Sequence, residues 1–372
     1  MTVRHFRRLS LAAVLAMCLG APGVVAQIDP RTALLEKAGW DALAAGQARA
    51  AAESFRAALA ADPGNARLRL GAGLAAYGER RDADARLELE RALALDPRLT
   101  DAREVLAQVQ HRMGDVRIAI STLELVVAGA PDDPGSPGGN AARATLERWR
   151  REIELHDRMR QAIDAHFTVS FDGPSEEALA NEVLTSLDRA YWRIGAILGA
   201  YPATAVPVVL YTTEQFRDIT RSPSWAAGAY DGTIRLPVRG ALDNPRELDR
   251  VLAHEFTHAL VRALAPRGVP TWLNEGLASA LEADDLTWAD ERVQEAQARV
   301  PLQALQSGFS RLSGAQAELA YATSALAVRR LLDEAGGAAV ANLLRDLGEG
   351  VDFEAAFLHR LQRPLADFQA SF

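Results

Sequence analysis

The chain has 372 residues, a formal net charge of −8 at pH 7 and a single cysteine. This length allows two domains. The acidic balance argues against nucleic acid as a partner, and a lone cysteine excludes a disulfide framework.

Residues 1–26 predict an export signal. Three arginines precede an apolar run from Leu9 to Leu19, and Val24-Val25-Ala26 offers a small-residue cleavage site. The run is too short to form a stable membrane span. We therefore expect an exported protein, periplasmic or secreted, without a stable membrane span after cleavage. Retention of the segment as a tether is the alternative.

A repeat with a period of 34 residues is predicted within residues 27–131. Prolines recur at this period, and so do two small positions and one large apolar position: Pro63, Pro97 and Pro131; Gly39, Gly73 and Ala107; Ala51, Ala85 and Ala119; Phe55, Leu89 and Leu123. The pattern resembles about three tetratricopeptide repeats. That resemblance implies an all-α solenoid with a groove for a protein or peptide partner. Unrelated alanine-rich helices are the alternative. His111 is interpreted as a surface histidine.

Residues 132–164 are predicted to connect two domains. Prolines and glycines up to Asn140 indicate a linker, and alternating arginines and glutamates over 141–164 favour one solvated helix.

A second domain, over 165–372, is predicted to open with strands and helices. Alternating apolar residues indicate a strand at 167–171, and a helix follows at about 176–198. A second strand is predicted at 206–211, and a hairpin or edge strand within 225–237.

A helix with two histidines is predicted next. Asn244 is a suitable cap, and Pro245 suits the first helical position. His254 and His258 are four residues apart, so both imidazoles leave the same face of the helix. Glu255 is then placed to act on water at a metal that the histidines hold.

Glu275 completes this pattern 17 residues after His258, within Trp-Leu-Asn-Glu-Gly-Leu-Ala. It supplies an anionic ligand from a second helix, which is predicted to open at Pro270 and Thr271. Two histidines and a glutamate that leave a fourth coordination position free are typical of a catalytic zinc site. The alternative is an amphipathic helix whose polar face carries two histidines by coincidence.

The two segments resemble the gluzincin peptidases, most closely the peptidase-MA-like domains, over about residues 165–372. The resemblance implies Zn²⁺ bound by His254, His258 and Glu275, with Glu255 as the general base. It also implies a strand-and-helix half that carries the histidines and a helical half that carries Glu275, with the cleft between them.

Further roles follow from the same resemblance. Asn274 is expected to support a zinc-bound histidine, and Tyr321 to steady the oxyanion, with His359 as second choice. Gly228 and Ala229 are expected to bind the substrate backbone. The alternatives are a packing role for Tyr321 and an ordinary hairpin turn at Gly228 and Ala229.

The sequence also departs from the family pattern. Thermolysin has an aspartate four residues after the third ligand, where this chain has Ser279. Orientation of His254 must therefore come from elsewhere. Residues 284–313 are expected to be irregular, 315–335 helical, and 338–372 to form two more helices.

Together these patterns predict an α+β fold, in which a tetratricopeptide solenoid precedes a gluzincin-like metallopeptidase domain. The expected function is hydrolysis of peptide bonds by an exported zinc peptidase, with the repeats recruiting partners. An endopeptidase is favoured because the predicted edge strand lacks the acidic residue with which aminopeptidases hold a free α-amine. The alternative is a catalytically weak or inactive zinc-binding scaffold or assembly factor that acts through its repeats.

Overall fold

The structure, a computed structural model, describes residues 29–129, 137–220, 228–237, 244–297, 300–306, 308–309 and 312–371. The predicted export signal lies outside these residues, as do 131–136 of the predicted linker and 225–227 of the predicted hairpin. The chain divides into two compact units after Ile153. No helix in this described part of the chain is both long enough and apolar enough to cross a membrane.

The described residues of the first unit form helices and no strands. They are α1 (Pro30–Ala44), α2 (Ala48–Ala61), α3 (Ala66–Gly78), α4 (Asp82–Leu95), α5 (Thr100–Arg112), α6 (Val116–Gly129) and the greater part of α7 (Pro137–His156). Consecutive helices from α1 to α6 pack against each other.

Small residues opposite large ones determine how these helices pack. The ring of Phe55 fills the space that a side chain on Gly39 would need, and Leu89 lies in the same way against Gly73. Phe55, Leu89 and Leu123 recur at the 34-residue period, and each is at most 1% exposed. The unit is thus compatible with stacked helical repeats, and the tetratricopeptide interpretation remains a prediction.

His111 is packed, so its interpretation as a surface histidine is wrong. Its ring stacks on that of Trp149, with centroids 4.6 Å apart, and its Nε2 lies 2.8 Å from Glu152 Oε2. Both partners belong to α7. The sequence around His111 contains no sign of this helix, because the contact joins residues about forty positions apart.

The connecting helix is shorter than predicted. α7 ends at His156, and Arg160–Ile163 forms a strand, β1, in place of the expected last turn. β1 pairs with the next strand, and the Asp164 carboxylate accepts hydrogen bonds from the backbone N–H groups of His166 and Phe167 in the turn between them. For residues 160–163, pairing with β2 therefore decides the structure, although the pattern of charged residues favours a helix. The second unit begins at Glu154, ahead of the predicted boundary at 165.

The second unit contains a five-stranded mixed sheet. After β1 come β2 (Phe167–Phe171), α8 (Glu177–Leu198), β3 (Val206–Tyr211), α9 (Thr213–Thr220), β4 (Ala229–Tyr230) and β5 (Ile234–Pro237). The strand order is β1-β2-β3-β5-β4. β2, β3 and β5 are parallel to their neighbours in this central part, whereas β1 and β4 pair antiparallel at the two edges.

Helices complete this unit. They are α10 (Pro245–Leu264), α11 (Thr271–Glu282), α12 (Thr287–Ala296), α13 (Gly314–Ala335), α14 (Gly337–Gly348), α15 (Phe353–Leu361) and α16 (Leu365–Ser371). α12 lies in a segment that was expected to be irregular, and the described residues after 336 form three helices where two were expected. Local hydrogen bonds favour the starts of two of these helices: Asp285 accepts from the Thr287 backbone N–H before α12, and the Asp352 side chain caps α15.

The core of this unit holds α10 against α8 and the sheet. Phe256 of α10 is fully buried, with its ring centroid 5.8 Å from those of Phe167 and Tyr191. Leu252 and Leu260, one turn to either side, are also fully buried. With this face of α10 turned inward, the face that carries His254 and His258 is left for the site.

Candidate metal centre and active site

The first two ligand candidates come from α10. Asn244 caps the helix, its Oδ1 accepting from the Glu247 backbone N–H, and Pro245 occupies the first turn. His254 and His258 keep side-chain exposures of 20% and 12%. Their ring centroids are 4.8 Å apart, which confirms that the four-residue spacing brings both imidazoles to one face.

Glu275 of α11 joins the two histidines. Its Oε2 lies 4.0 Å from His254 Nε2 and 3.7 Å from His258 Nε2. The donor atoms of the three residues all lie within 4.8 Å of one another. They are two imidazole nitrogens and a carboxylate oxygen, the donor set of a His₂Glu catalytic zinc site. The residues present therefore fit a zinc ion.

The other ring nitrogens of the histidines point to hydrogen-bond partners on α11. His258 Nδ1 lies 3.1 Å from Asn274 Oδ1, and His254 Nδ1 lies 2.7 Å from Glu282 Oε2. An acceptor at Nδ1 places the proton there and leaves the Nε2 lone pair for a metal. The structure thus places Asn274 where the resemblance implied.

Glu282 is a functional residue that the sequence analysis missed. Where thermolysin has its aspartate this chain has Ser279, which is buried, and it is Glu282 that lies against His254. Glu282 lies seven residues after Glu275, almost two helical turns, so the two acids share a face of α11. In the sequence, the only indication of Glu282 is that an acidic residue follows Glu275 at a spacing of seven. Its contact with His254 can be recognised only from the distance in the structure.

Glu255 is buried next to the strand edge. It is 6% exposed. A methyl group at the Cβ position of Gly228 would lie 2.8 Å from Glu255 Oε1, so the backbone just before β4 touches the carboxylate. The structure therefore brings Gly228 to the site. Ala229 lies on the same edge strand, paired with Arg235 of β5.

Burial is the main cause that raises the pKa of Glu255, to about 7. His258 acts in the opposite direction, and the neighbouring carboxylates Glu275, Asp231 and Glu282 raise the pKa further. A cation bound by the histidines would lower this pKa again. A carboxyl group in such surroundings can exchange a proton near neutral pH.

Tyr321 of α13 reaches the same cluster. Burial is the main cause that raises the pKa of its hydroxyl above the ordinary value, and the neighbouring Glu275 and Glu255 carboxylates raise it further. It therefore stays protonated and able to donate a hydrogen bond. A methyl group on Gly276 would lie 2.4 Å from the Ser324 carbonyl oxygen, so α11 and α13 approach very closely at this point.

His359, the second choice for the oxyanion role, lies elsewhere. Its side chain is 68% exposed, and Nδ1 is 3.7 Å from Asp346 Oδ2. This pairing with Asp346 is the contact that the structure gives it, and the prediction for His359 is wrong. Tyr321 remains the candidate.

A polar network behind the edge strand was also missed. Arg235 is 3% exposed and donates from Nε to both oxygens of Asp231, each at 3.0 Å, and from Nη1 to Tyr211 Oη at 2.5 Å. His156 Nε2 also lies 2.5 Å from Tyr211 Oη. The Asp231–Arg235 pair spans the turn between β4 and β5, so it holds the hairpin beside Glu255.

Comparison with known families agrees with this geometry. Residues 187–362 match the family model of the Peptidase MA superfamily, just under half of the chain, and this part includes α10, α11 and α13. The match supports a peptidase of the metal-dependent kind, in a superfamily whose members are typically zinc-dependent. No curated protein matches the chain.

Proposed function

We propose that the protein is an exported zinc-dependent peptidase that hydrolyses peptide bonds with Glu255 as the general base. The convergence of the His254, His258 and Glu275 donor atoms, all within 4.8 Å of one another, is the observation that carries this proposal. The match to the Peptidase MA superfamily covers all three residues and supports peptides as the substrate class.

The site residues divide the chemistry among them. Zinc would supply a Lewis acid that polarises the scissile carbonyl and makes a water molecule more acidic. Glu255 takes the proton of the attacking water and delivers it to the leaving amine. Tyr321, held protonated by burial, donates a hydrogen bond to the carbonyl oxygen as negative charge develops there.

The edge of the sheet supports binding of an extended substrate. Among the described residues β4 is an edge strand that pairs with β5, and Gly228, just before it, lies against Glu255. A peptide that added to this edge at Gly228 and Ala229 would pass the general base. Asp231 directly follows β4, but both of its oxygens already accept from Arg235. A carboxylate paired in this way is poorly suited to hold a free α-amine, which supports an endopeptidase.

The remaining parts of the proposal concern location and partners. The export signal read from residues 1–26 supports a periplasmic or secreted enzyme. The helical first unit supports recruitment of protein or peptide partners, because the small and the large apolar residues that recur at the 34-residue period are buried as stacked repeats require.

The test compares the protein that begins at residue 27 with its Glu255→Gln variant, which keeps the size of the side chain. We expect about one zinc per chain in both proteins, and peptide hydrolysis at least about a hundredfold lower in the variant. Casein peptides serve as substrate, and elemental analysis measures the zinc. Full activity of the variant would disprove the assignment of the base.

The scaffold alternative gives a different result in the same experiment. Zinc in both proteins without hydrolysis in either would favour a zinc-binding scaffold or assembly factor that acts through the first unit.

A further inference from the structure

We propose that a set of residues at the last turn of α11 tunes the metal affinity of the site. Glu282 orients His254, Arg250 holds Glu282, and Arg193 and Arg329 hold the end of the helix. We call these four residues the Glu282 anchor. The inference deepens the proposed function, from which it takes only that His254, His258 and Glu275 bind zinc.

The contact between Glu282 and His254 is the centre of the anchor. The Nδ1–Oε2 distance is 2.7 Å, and the Glu282 side chain is 8% exposed. A carboxylate at this distance is a strong, charge-assisted acceptor. It keeps the proton on Nδ1, fixes the orientation of the ring and makes Nε2 a better electron-pair donor.

Arg250 balances the buried charge of Glu282. Its Nη1 donates to Glu282 Oε1 at 2.8 Å, so the two oxygens of the carboxylate have separate partners on α10. Arg250 lies one helical turn before His254 and also pairs with Glu247. Arg250 thus fixes one oxygen of the carboxylate, so that the other stays directed at His254 Nδ1.

The end of α11 needs support because Glu282 is the last residue of this helix. Terminal turns fray, since their carbonyl groups lack partners within the helix. Two arginines from neighbouring helices provide partners here: Arg193 Nη2 donates to Leu281 O and Arg329 Nη2 donates to Ala280 O, each at 2.7 Å. Their positive charge also suits the negative end of the helix dipole.

The four contacts together converge on one turn from three helices, α8, α10 and α13. Each of these contacts fixes either the Glu282 carboxylate or the backbone that carries it. The arrangement therefore holds the carboxylate in position against His254. A merely structural role would predict lower stability of the variants with unchanged zinc affinity of the folded protein. The anchor predicts that zinc affinity itself changes.

The first experiment measures zinc dissociation constants of the whole protein by competition with a chromophoric chelator. We expect Glu282→Gln, which keeps an acceptor but removes the charge, to weaken zinc binding about 10- to 100-fold. Arg250→Gln and Arg329→Gln should weaken it severalfold. Arg189→Gln is the matched control, since Arg189 is an α8 arginine that pairs with Asp249 of α10, away from Glu282. Its zinc affinity should equal that of the unchanged protein.

The second experiment needs no metal. Nitrogen-15 NMR of the metal-free protein reports the protonated ring nitrogen of His254, assigned by comparison with His254→Asn. We expect the Nδ1–H tautomer in the unchanged protein and a mixture of tautomers in Glu282→Ala. An unchanged tautomer together with an unchanged zinc affinity in the Glu282 variants would overturn the inference.

These measurements separate the anchor from the proposed function. Tight zinc binding without peptide hydrolysis, combined with weaker binding in Glu282→Gln, would support the anchor and contradict the peptidase. If the unchanged protein bound no zinc, the proposed function would fail, and the tautomer of His254 would still decide whether Glu282 orients the ring.

Discussion

Gly228 brings the backbone of the strand edge into contact with Glu255, the proposed general base. A methyl group at this position would lie 2.8 Å from Glu255 Oε1 and 3.1 Å from Val251 Cγ1. We expect Gly228→Ala to displace either the carboxylate or the strand, and to lower kcat/KM by about tenfold or more, since misplacement of a reacting group is costly. The zinc content should not change. Unchanged kinetics would show that the edge and the base are not coupled.

Asn274 contacts His258, one of the proposed zinc ligands. Its Oδ1 lies 3.1 Å from His258 Nδ1, so Asn274→Ala removes the acceptor that orients this ring. We expect zinc affinity to fall about tenfold, whereas His258→Ala, which removes a ligand, should leave substoichiometric zinc. Elemental analysis after dialysis against a weak chelator ranks the two variants. Equal zinc contents in Asn274→Ala and the unchanged protein would remove Asn274 from the site.

At the scale of elements, the distance between α11 and α13 depends on Gly276. A methyl group there would lie 2.4 Å from the Ser324 carbonyl oxygen and 2.7 Å from Val328 Cγ2. We expect Gly276→Ala to push the helices apart and to lower the free energy of unfolding by about 1–3 kcal/mol, as overpacking does.

Urea unfolding tests this prediction, with Gly314→Ala as control. Gly314 lies at the start of α13, and a methyl group there would meet no atom within 4 Å. Because Gly276 directly follows Glu275, a proposed zinc ligand, we expect Gly276→Ala to weaken zinc binding as well. A variant as stable as the unchanged protein would show that the two helices can adjust.

Elements defined by local signals could be predicted from the sequence. The cap at Asn244, the apolar stripe of α10 and the spacing of His254 and His258 lie within twenty residues, and each agrees with the others. β2, α8 and β3 were predicted for the same reason. Glu275 could be added because its surrounding segment resembles a known motif.

Features that depend on contacts distant in sequence could not be predicted. β1 exists because it pairs with β2, and His111 is partly covered because Trp149 of α7 stacks on its ring. Glu282 resembles any acid at the end of a helix until its distance of 2.7 Å from His254 is known. The Asp231–Arg235 pair likewise could not be connected with the site before the structure placed it near Glu255.

At the scale of the whole molecule, the two compact units have separate hydrophobic cores. The core cluster around Leu89 consists of residues from the first unit, and the cluster around Phe256 consists of residues from the second. A ligand that binds the second unit should therefore stabilise the structure that contains the site.

Removal of zinc tests this expectation. At a free zinc concentration of a hundred times Kd, binding stabilises the folded state by about 2.7 kcal/mol. We expect a chelator to lower the melting temperature of the second unit, as calorimetry would show. Leu89→Ala creates a cavity in the core of the first unit. It should lower the free energy of unfolding of that unit by about 2–5 kcal/mol and leave the zinc affinity unchanged. A chelator that shifted no transition would contradict the metal site.

The length of α11 has a consequence for which changes the chain can tolerate. Glu275 and Glu282 are separated by seven residues, two turns less about 20°, which corresponds to about 10.5 Å along the helix axis. An insertion or deletion of one residue between them would rotate one acid by about 100° relative to the other. The number of residues between Glu275 and Glu282 is therefore fixed by the geometry of the helix, whereas their identity is constrained where a neighbouring helix approaches closely, as at Gly276.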